Sequence, residues 1–428
     1  MLHIAEKRKN PKNRSFFPIV GMIGRDFFPK WEIPKKKESD MVYTYKMPTE
    51  LFFGDGAAAQ TGTKAQELGL KKALLVTDKG VLDAGILGDL EKSLKETGID
   101  YKIFSEVEPE PTIQGIEAGT KMLKDFGAEG VIGVGGGSAL DSAKAIAIMA
   151  TNSGKIFDFV GFGKVPVQPL PIIAIPTTAG TGSEATFWSV LADKTQGMKL
   201  SVGGWNVMPT LAIVDPKLTE SLPPAITATT GMDALVHAME AYVSTNCQPI
   251  SEGLAYHAMK LIARSLRQAV NHWKDAKARE DMIIGSLIAA LAFNITRLGN
   301  AHALAIPLGI KYHIPHGEVN AILLPWVMQY NLPACPEKYI EIAKLFGEDT
   351  CGLTPMEGAQ KSVKAIKELL RDIGIKDGLK KWNVKENELA EIAAKAVKSD
   401  NVKSNPRKTK EADLIQLCLD AMNGVGAE

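Results

Sequence analysis

The run Gly130-Val131-Ile132-Gly133-Val134 passes without a polar break into Gly135-Gly136-Gly137-Ser138 and then into an alanine-rich stretch. A short apolar run rich in β-branched residues reads as a buried strand, and the alanine-rich stretch as a helix. Three glycines between them imply a tight strand-to-helix turn. Such a turn carries backbone N–H groups and a helix N-terminus close enough to hold a phosphate. The spacing is neither G-x-G-x-x-G nor a Walker A loop, and taken alone it is equally a plain tight turn.

The flanks repeat the same alternation. Residues 73–78 read as a strand with a helical stretch following through Leu94, 101–104 as a strand, 112–126 as a helix and 171–175 as another buried strand. Strands alternating with helices indicate a parallel sheet with right-handed crossovers. Asp78 closes the first of these strands. An acidic side chain there can accept from a ribose 2′-OH and repel a 2′-phosphate, which favours NAD over NADP. The 171–175 strand runs into Pro176-Thr177-Thr178-Ala179-Gly180-Thr181-Gly182-Ser183-Glu184, a loop of hydroxyls and glycines suited to hydrogen-bonding a polar ligand.

At Leu222-Pro223-Pro224 the pattern changes, and 3.6-residue apolar spacing runs to the C-terminus. A chain of 428 residues is too long for one ordinary core. The expected division is an N-terminal extension at 1–40, an α/β dinucleotide-binding domain at 41–222 and an all-helical domain at 223–428.

The first forty residues hold ten basic and five acidic residues, against a net charge of +1 for the whole chain. A globally basic nucleic-acid binder is therefore not indicated. The basic head precedes a short apolar run at 16–23, but Pro18 interrupts it and no small-residue cleavage site follows, so an arm or ordered extension is expected rather than a signal peptide. No run approaches the roughly 18–20 apolar residues that span a bilayer. Four dispersed cysteines, Cys247, Cys335, Cys351 and Cys418, suggest a reducing compartment and a cytoplasmic protein.

Three of the seven histidines, His302, His313 and His316, fall within fifteen residues. Imidazoles this dense in apolar sequence suggest a divalent-metal site, although a lone buried histidine is more often a hydrogen-bonded core residue. Pro307 and Pro315 argue against one unbroken helix carrying His302 and His316. Upstream, Asp233 and His237 stand four residues apart, a spacing that sets both on one helix face.

Taken together, Gly135-Gly-Gly-Ser138-x-x-Asp141, Pro176-Thr-Thr-Ala-Gly-Thr-Gly-Ser-Glu184, Gly231-Met-Asp-Ala-Leu-Val-His237, and His302 with Pro315-His316-Gly317 resemble the iron-containing (group III) alcohol dehydrogenase family. The motifs occur in the family's order from about residue 41 onward. The resemblance implies a dehydroquinate synthase-like/iron alcohol dehydrogenase fold, an α/β dinucleotide-binding domain followed by an all-α domain, with catalysis in the cleft between them. It implies a homodimer or higher homo-oligomer acting on a small alcohol or aldehyde. Carried over by position, the metal ligands would be Asp233, His237, His302 and His316. The NAD(H) contacts would be Asp78, Gly136, Gly137, Ser138, Asp141, Thr177, Thr178, Thr181 and Lys199. The family favours Fe(II) over Zn(II); three imidazoles and a carboxylate suit either.

The sequence also departs from the family. Most relatives carry a second histidine four residues after the first ligand of the histidine-rich stretch, assigned to the substrate pocket or a proton relay; here that residue is Ile306. Trp326 stands where many have histidine, and Arg297 occupies a usually small position beside Asn294 and Asn300. Arg297, Ile306, Asn300 and His313 are the substrate-pocket candidates. Arginine binds planar oxyanions bidentately, so Arg297 leads us to expect a carboxylate-, sulfonate- or phosphonate-bearing substrate. Two other readings stand beside this one: a glycerol dehydrogenase or dehydroquinate synthase relative, and a metal- and NAD-binding protein whose turnover is impaired by Ile306.

Overall fold

The computed structural model describes residues 42–193 and 198–426, so the expected N-terminal extension lies outside the described residues. Six apolar runs pair as one parallel sheet: β1 (Glu50–Phe53), β2 (Lys72–Val76), β3 (Asp100–Phe104), β4 (Gly130–Gly135), β6 (Ile172–Pro176) and β9 (Leu211–Val214). Their spatial order is β1-β9-β6-β4-β2-β3. Three shorter strands, β5 (Gly161–Phe162), β7 (Trp188–Asp193) and β8 (Met198–Gly203), form a second sheet in which β7 and β8 are antiparallel.

The connecting helices are α1 (Thr61–Glu67), α2 (Lys79–Asp83), α3 (Gly88–Glu96), α4 (Ile113–Phe126) and α5 (Gly137–Thr151). They explain why the inner strands β2, β4, β6 and β9 read as continuous apolar runs, whereas the edge strand β3 (DYKIF) alternates. Leu74 and Val76 share a cluster with Ile116 of α4 and Ile146 of α5, whereas Ala73 and Leu75 face Leu90 and Leu94 of α3. Helices cover both faces of the sheet, so side chains of either parity must be apolar.

From β2 the chain moves outward to β3, then crosses back so that β4 lies on the other side of β2. The crevice beyond the carboxyl ends of β2 and β4 is the topological switch point, where open α/β sheets bind ligands. Asp78 follows β2 and the glycine turn follows β4.

The C-terminal half contains α6 (Pro224–Val243), α7 (Pro249–Asn271), α8 (Ala276–Thr296), α9 (Asn300–Tyr312), α10 (His316–Asn331), α11 (Pro336–Leu345), α12 (Pro355–Asp372), α13 (Leu389–Ala396), α14 (Asp400–Ser404) and α15 (Glu411–Asp420). Residues 231–243 of α6 are all buried, which makes α6 the axis of this half. From Tyr45 onward sheet and helices belong to one compact unit. Among the described residues no single helix is long and apolar enough to cross a membrane.

His302 and His316 lie on different helices, as the prolines suggest, but by an unexpected route. Pro307 sits inside α9 without ending it, at the loss of one backbone hydrogen bond. The chain breaks at His313, whose φ of 55° is left-handed, and α10 restarts after Pro315.

Candidate metal and cofactor site

The glycine turn is built for close approach. Gly135 has a φ of +148°, and a Cβ on it would lie 2.7 Å from Ala139 Cβ and 3.3 Å from Asp78 Oδ2. A Cβ on Gly137 would lie 2.9 Å from Thr181 Cγ2, and one on Gly136 3.4 Å from Thr178 Cγ2. Asp78, the 135–138 turn and the 176–184 loop therefore converge, although nearly a hundred residues separate the first from the last. No side chain caps α5, which leaves its N-terminal amides available to a phosphate. Asp78 caps α2 by accepting from the Val81 N–H at 3.0 Å, and its other oxygen faces the turn.

Other predicted cofactor contacts have internal partners. Asp141 accepts from Ser183 Oγ at 2.6 Å and from the Val190 N–H at 3.0 Å, which ties the 176–184 loop and β7 to α5. Ser138 donates to the Pro109 carbonyl. The Thr177 N–H donates to the Gly135 carbonyl at 3.0 Å. Lys199 forms a 3.3 Å ion pair with Glu110 and is near enough to His316 to disfavour its protonation. Sequence reasoning missed Lys144, a fully buried cation whose Nζ donates to Ser183 Oγ at 2.8 Å, Thr186 Oγ1 at 3.2 Å and the Trp188 carbonyl at 2.7 Å. Burial lowers its pKa, and burial also lifts the neighbouring Glu184 to about 7.

The four proposed metal ligands converge. Asp233 and His237 project from one face of α6, as their spacing predicts. Asp233 Oδ1 lies 3.6 Å from His302 Nε2 and 3.7 Å from His316 Nε2. Metal–ligand bonds of about 2.0–2.2 Å at tetrahedral angles set donors roughly 3.4 Å apart, so this spacing already fits one ion. Asp233, His237 and His302 can each offer an atom within 4.8 Å of the others, whereas His316 falls outside that mutual set and joins it through Asp233 Oδ1. Their side chains are 4–6% exposed, whereas that of His316 is 37% exposed, which makes His316 the open side of the cluster.

Two further groups set the rings. Glu240, two turns beyond Asp233 on α6, lies 2.7 Å from His302 Nδ1 and accepts from the Gly299 and Ala301 N–H groups, each at 2.8 Å. The Gly180 carbonyl lies 3.3 Å from His237 Nδ1. The Glu240 contact favours a proton on His302 Nδ1 and leaves Nε2 toward Asp233, the usual outer arrangement around metal-binding histidines, whereas His237 turns the same Nδ1 toward both the Gly180 carbonyl and Asp233 Oδ2, 4.0 Å away. His237 stacks between His302 and Phe293, with centroids 4.5 and 4.4 Å away. The 176–184 loop therefore reaches the aspartate–histidine cluster through Gly180.

The electrostatics of the cluster favour one proton. Burial alone would lower His302, but the Glu240 and Asp233 carboxylates outweigh it and hold the imidazole up to about 9. Burial pushes His237 down to about 4 and His316 down as well. Asp233 is held far below the ordinary carboxylate range: burial opposes this, but the surrounding imidazoles prevail.

The pocket candidates separate. Ile306 is exposed one turn beyond His302 on α9. Arg297 fills the break between α8 and α9, which bend by 102°, and its guanidinium lies 5.2 Å from the centre of the Trp188 ring. Its backbone, at φ 62° and ψ −174°, is in a region that is essentially glycine's. Asn300 is not brought to the pocket: it is fully buried, and its amide donates to Thr409 Oγ1 at 2.9 Å. His313 is exposed and makes none of the contacts that join the other histidines. Trp326 lies ten residues along α10 from His316, with Lys367 over its ring at 4.5 Å. Asn294 donates to the Ala185 carbonyl.

Comparison with known proteins agrees with this geometry. The family description "Iron-containing alcohol dehydrogenase" matches residues 48–216, and "Fe-containing alcohol dehydrogenase family, C-terminal" matches residues 227–422. A 1,3-propanediol dehydrogenase from Citrobacter freundii is 41% identical over 382 residues, covering 89% of this chain and 99% of that protein. The crystal structure of a 1,3-propanediol oxidoreductase superposes with a TM-score of 0.87 at 41% identity, covering 89% of this chain and all of that one. A sulfoacetaldehyde reductase from Bifidobacterium kashiwanohense, solved with NAD+, has a TM-score of 0.82 at 34% identity, covering 91% and 100%. The chain belongs to the iron-containing alcohol dehydrogenase family, and is an NAD-linked oxidoreductase of that general type.

Proposed function

We propose that this chain is a metal-dependent, NAD(H)-linked alcohol dehydrogenase or aldehyde reductase whose preferred substrate carries an anionic group. Asp233, His237, His302 and His316 hold one divalent cation, with Fe(II) preferred by family and Zn(II) compatible with the donor set. Asp78, Gly136, Gly137, Ser138, Thr177, Thr178, Thr181 and Lys199 line the dinucleotide path, and Asp141 braces the loop. Residues 41–222 thus serve the cofactor and 223–428 the metal and substrate. We place the protein in the cytoplasm as a homodimer or larger homo-oligomer.

The chemistry that a bound cation and nicotinamide supply is polarisation of a carbinol or carbonyl oxygen and hydride exchange at its carbon. The protein's own part is orientation. Glu240 aims the His302 imidazole inward, the Gly180 carbonyl anchors that of His237, and the exposed edge of His316 leaves one side of the cluster open to substrate. Ile306 can neither accept nor donate a proton, so that position offers no relay.

The single observation behind the anionic substrate is Arg297. Its guanidinium is partly buried, lies over Trp188 and feels the Asp400 carboxylate electrostatically, but among the described residues it makes neither a hydrogen bond nor a salt bridge within 4.0 Å. A desolvated cation held on a strained backbone is well placed to receive an oxyanion. The resemblance to a sulfoacetaldehyde reductase is consistent with this.

The test is anaerobic NADH oxidation with Fe(II) or Zn(II) over charged and uncharged aldehydes of matched length, in wild type and Arg297→Ala. We expect at least a tenfold kcat/KM preference for the anionic member that Arg297→Ala abolishes. Equal values in both proteins would remove the anionic part of the reading. The second reading, a binding protein with impaired turnover, rests on Ile306. It would be favoured by tight NADH binding without turnover of any aldehyde, and by activity regained in Ile306→His.

A further inference from the structure

Asn320 is fully buried one helical turn beyond His316 on α10, so both side chains stand on the same rigid face. Its amide nitrogen lies 2.8 Å from Asp233 Oδ1, 3.1 Å from His302 Nε2 and 3.2 Å from His316 Nε2. The amide oxygen, equally buried, has no hydrogen-bond partner among the described residues, so the nitrogen alone carries the bonding of this side chain.

We infer that Asn320 is a positioning residue of the metal centre, which donates to Asp233 Oδ1 and fixes the carboxylate in a one-oxygen orientation toward the cage. The inference rests on the reading of Asp233, His302 and His316 as ligands. A carboxylate turns easily about its Cβ–Cγ bond and can offer one oxygen or two. Oδ1 is the oxygen that faces both His302 and His316, whereas Oδ2 faces His237. A hydrogen bond to Oδ1 therefore selects the orientation in which that oxygen is shared with two imidazoles. The donor is neutral and leaves the carboxylate's charge for a cation, which a lysine or arginine there would compensate. Groups that orient ligands in this way commonly change metal affinity 10–100-fold when removed.

The experiment uses the full chain, stripped of metal and titrated with Co(II) against a chromophoric chelator, with the visible spectrum of the Co(II) protein recorded. Asn320→Leu removes the donor at nearly constant size; Asn320→Asp keeps the shape but replaces the donor by a charged acceptor. We expect Asn320→Leu to bind Co(II) about 10–100-fold more weakly, and both variants to show altered Co(II) bands. Unfolding in excess chelator should stay close to wild type for at least one of them. Unchanged bands with an affinity within twofold of wild type in both variants would overturn the inference. So would a weaker affinity fully matched by lost stability in chelator with unchanged bands, since that is the mark of a packing residue. Asp233→Ala separates the two layers: it should abolish Co(II) binding, and retention there would refute the ligand set itself, whatever the Asn320 variants do.

Discussion

Glu240 Oε2 and His302 Nδ1 meet at 2.7 Å in the interior, and the same carboxylate holds the first amides of α9. One side chain thus sets the direction of a proposed metal ligand and satisfies the N-terminus of the helix that carries it. Glu240→Ala should lower metal affinity about 10–100-fold and also lower the melting temperature of the chelated protein, because two buried N–H donors lose their acceptor. Glu240→Gln, which can still accept from one of them, should fall between. Metal competition titration and thermal unfolding measure both effects; an alanine variant that matches wild type in each would contradict this role.

The backbone of Arg297 makes an unusual stability prediction. A non-glycine residue at φ 62° and ψ −174° costs of order 1–3 kcal/mol. Arg297→Gly should therefore be more stable than Arg297→Ala by about 1–2 kcal/mol in urea unfolding, the reverse of the usual preference for alanine. Both should lose the preference for anionic aldehydes. An alanine variant more stable than the glycine variant would show that the strain is not real.

The glycine turn gives a prediction confined to the cofactor. With Thr181 Cγ2 only 2.9 Å from a Cβ at position 137, Gly137→Ala must push the two loops apart. NADH should bind at least about tenfold more weakly, a loss of roughly 1.4 kcal/mol, with metal affinity unchanged. Adding Thr181→Ser removes the offending methyl and should recover part of the loss. Fluorescence titration of NADH decides it; unchanged binding in Gly137→Ala would separate this turn from the cofactor.

The proton on the cluster predicts a pH dependence. His302 is raised from 6.5 to about 9, so below about pH 9 a cation must displace a proton to bind. Metal affinity should fall about tenfold for each unit of pH below 9 and level off above it. The sign for the metal-free fold is opposite: this group's stabilisation is complete below 6.5 and is lost as pH rises through 9. Affinity that is flat between pH 7 and 9 would contradict the shared proton.

The parallel sheet and the placing of Asp233 and His237 on one face of α6 were legible because they rest on local periodicity; the switch-point crevice depends on strand order and was not. The pairing of His302 with His316 was not, since Pro307 continues a helix that its chemistry would normally end; family resemblance supplied that pair. Glu240 had a readable signal, a second acid on α6 in a buried stretch three residues after His237, and Asn320 a similar one, four residues after His316. Neither could be assigned without knowing that α6, α9 and α10 meet. Asn300 misled because its partner, Thr409, is more than a hundred residues away. The strain at Arg297 is a property of φ and ψ, which residue type does not reveal.

We expect one cation, held by Asp233, His237, His302 and His316, to be required for turnover. This requirement is tested most directly by metal analysis of the purified chain alongside NADH-dependent aldehyde reduction before chelation, after chelation and after anaerobic return of Fe(II). We expect one ion per chain, turnover lost on chelation and regained with Fe(II), and no bound ion in Asp233→Ala. Full turnover in metal-stripped protein would contradict it.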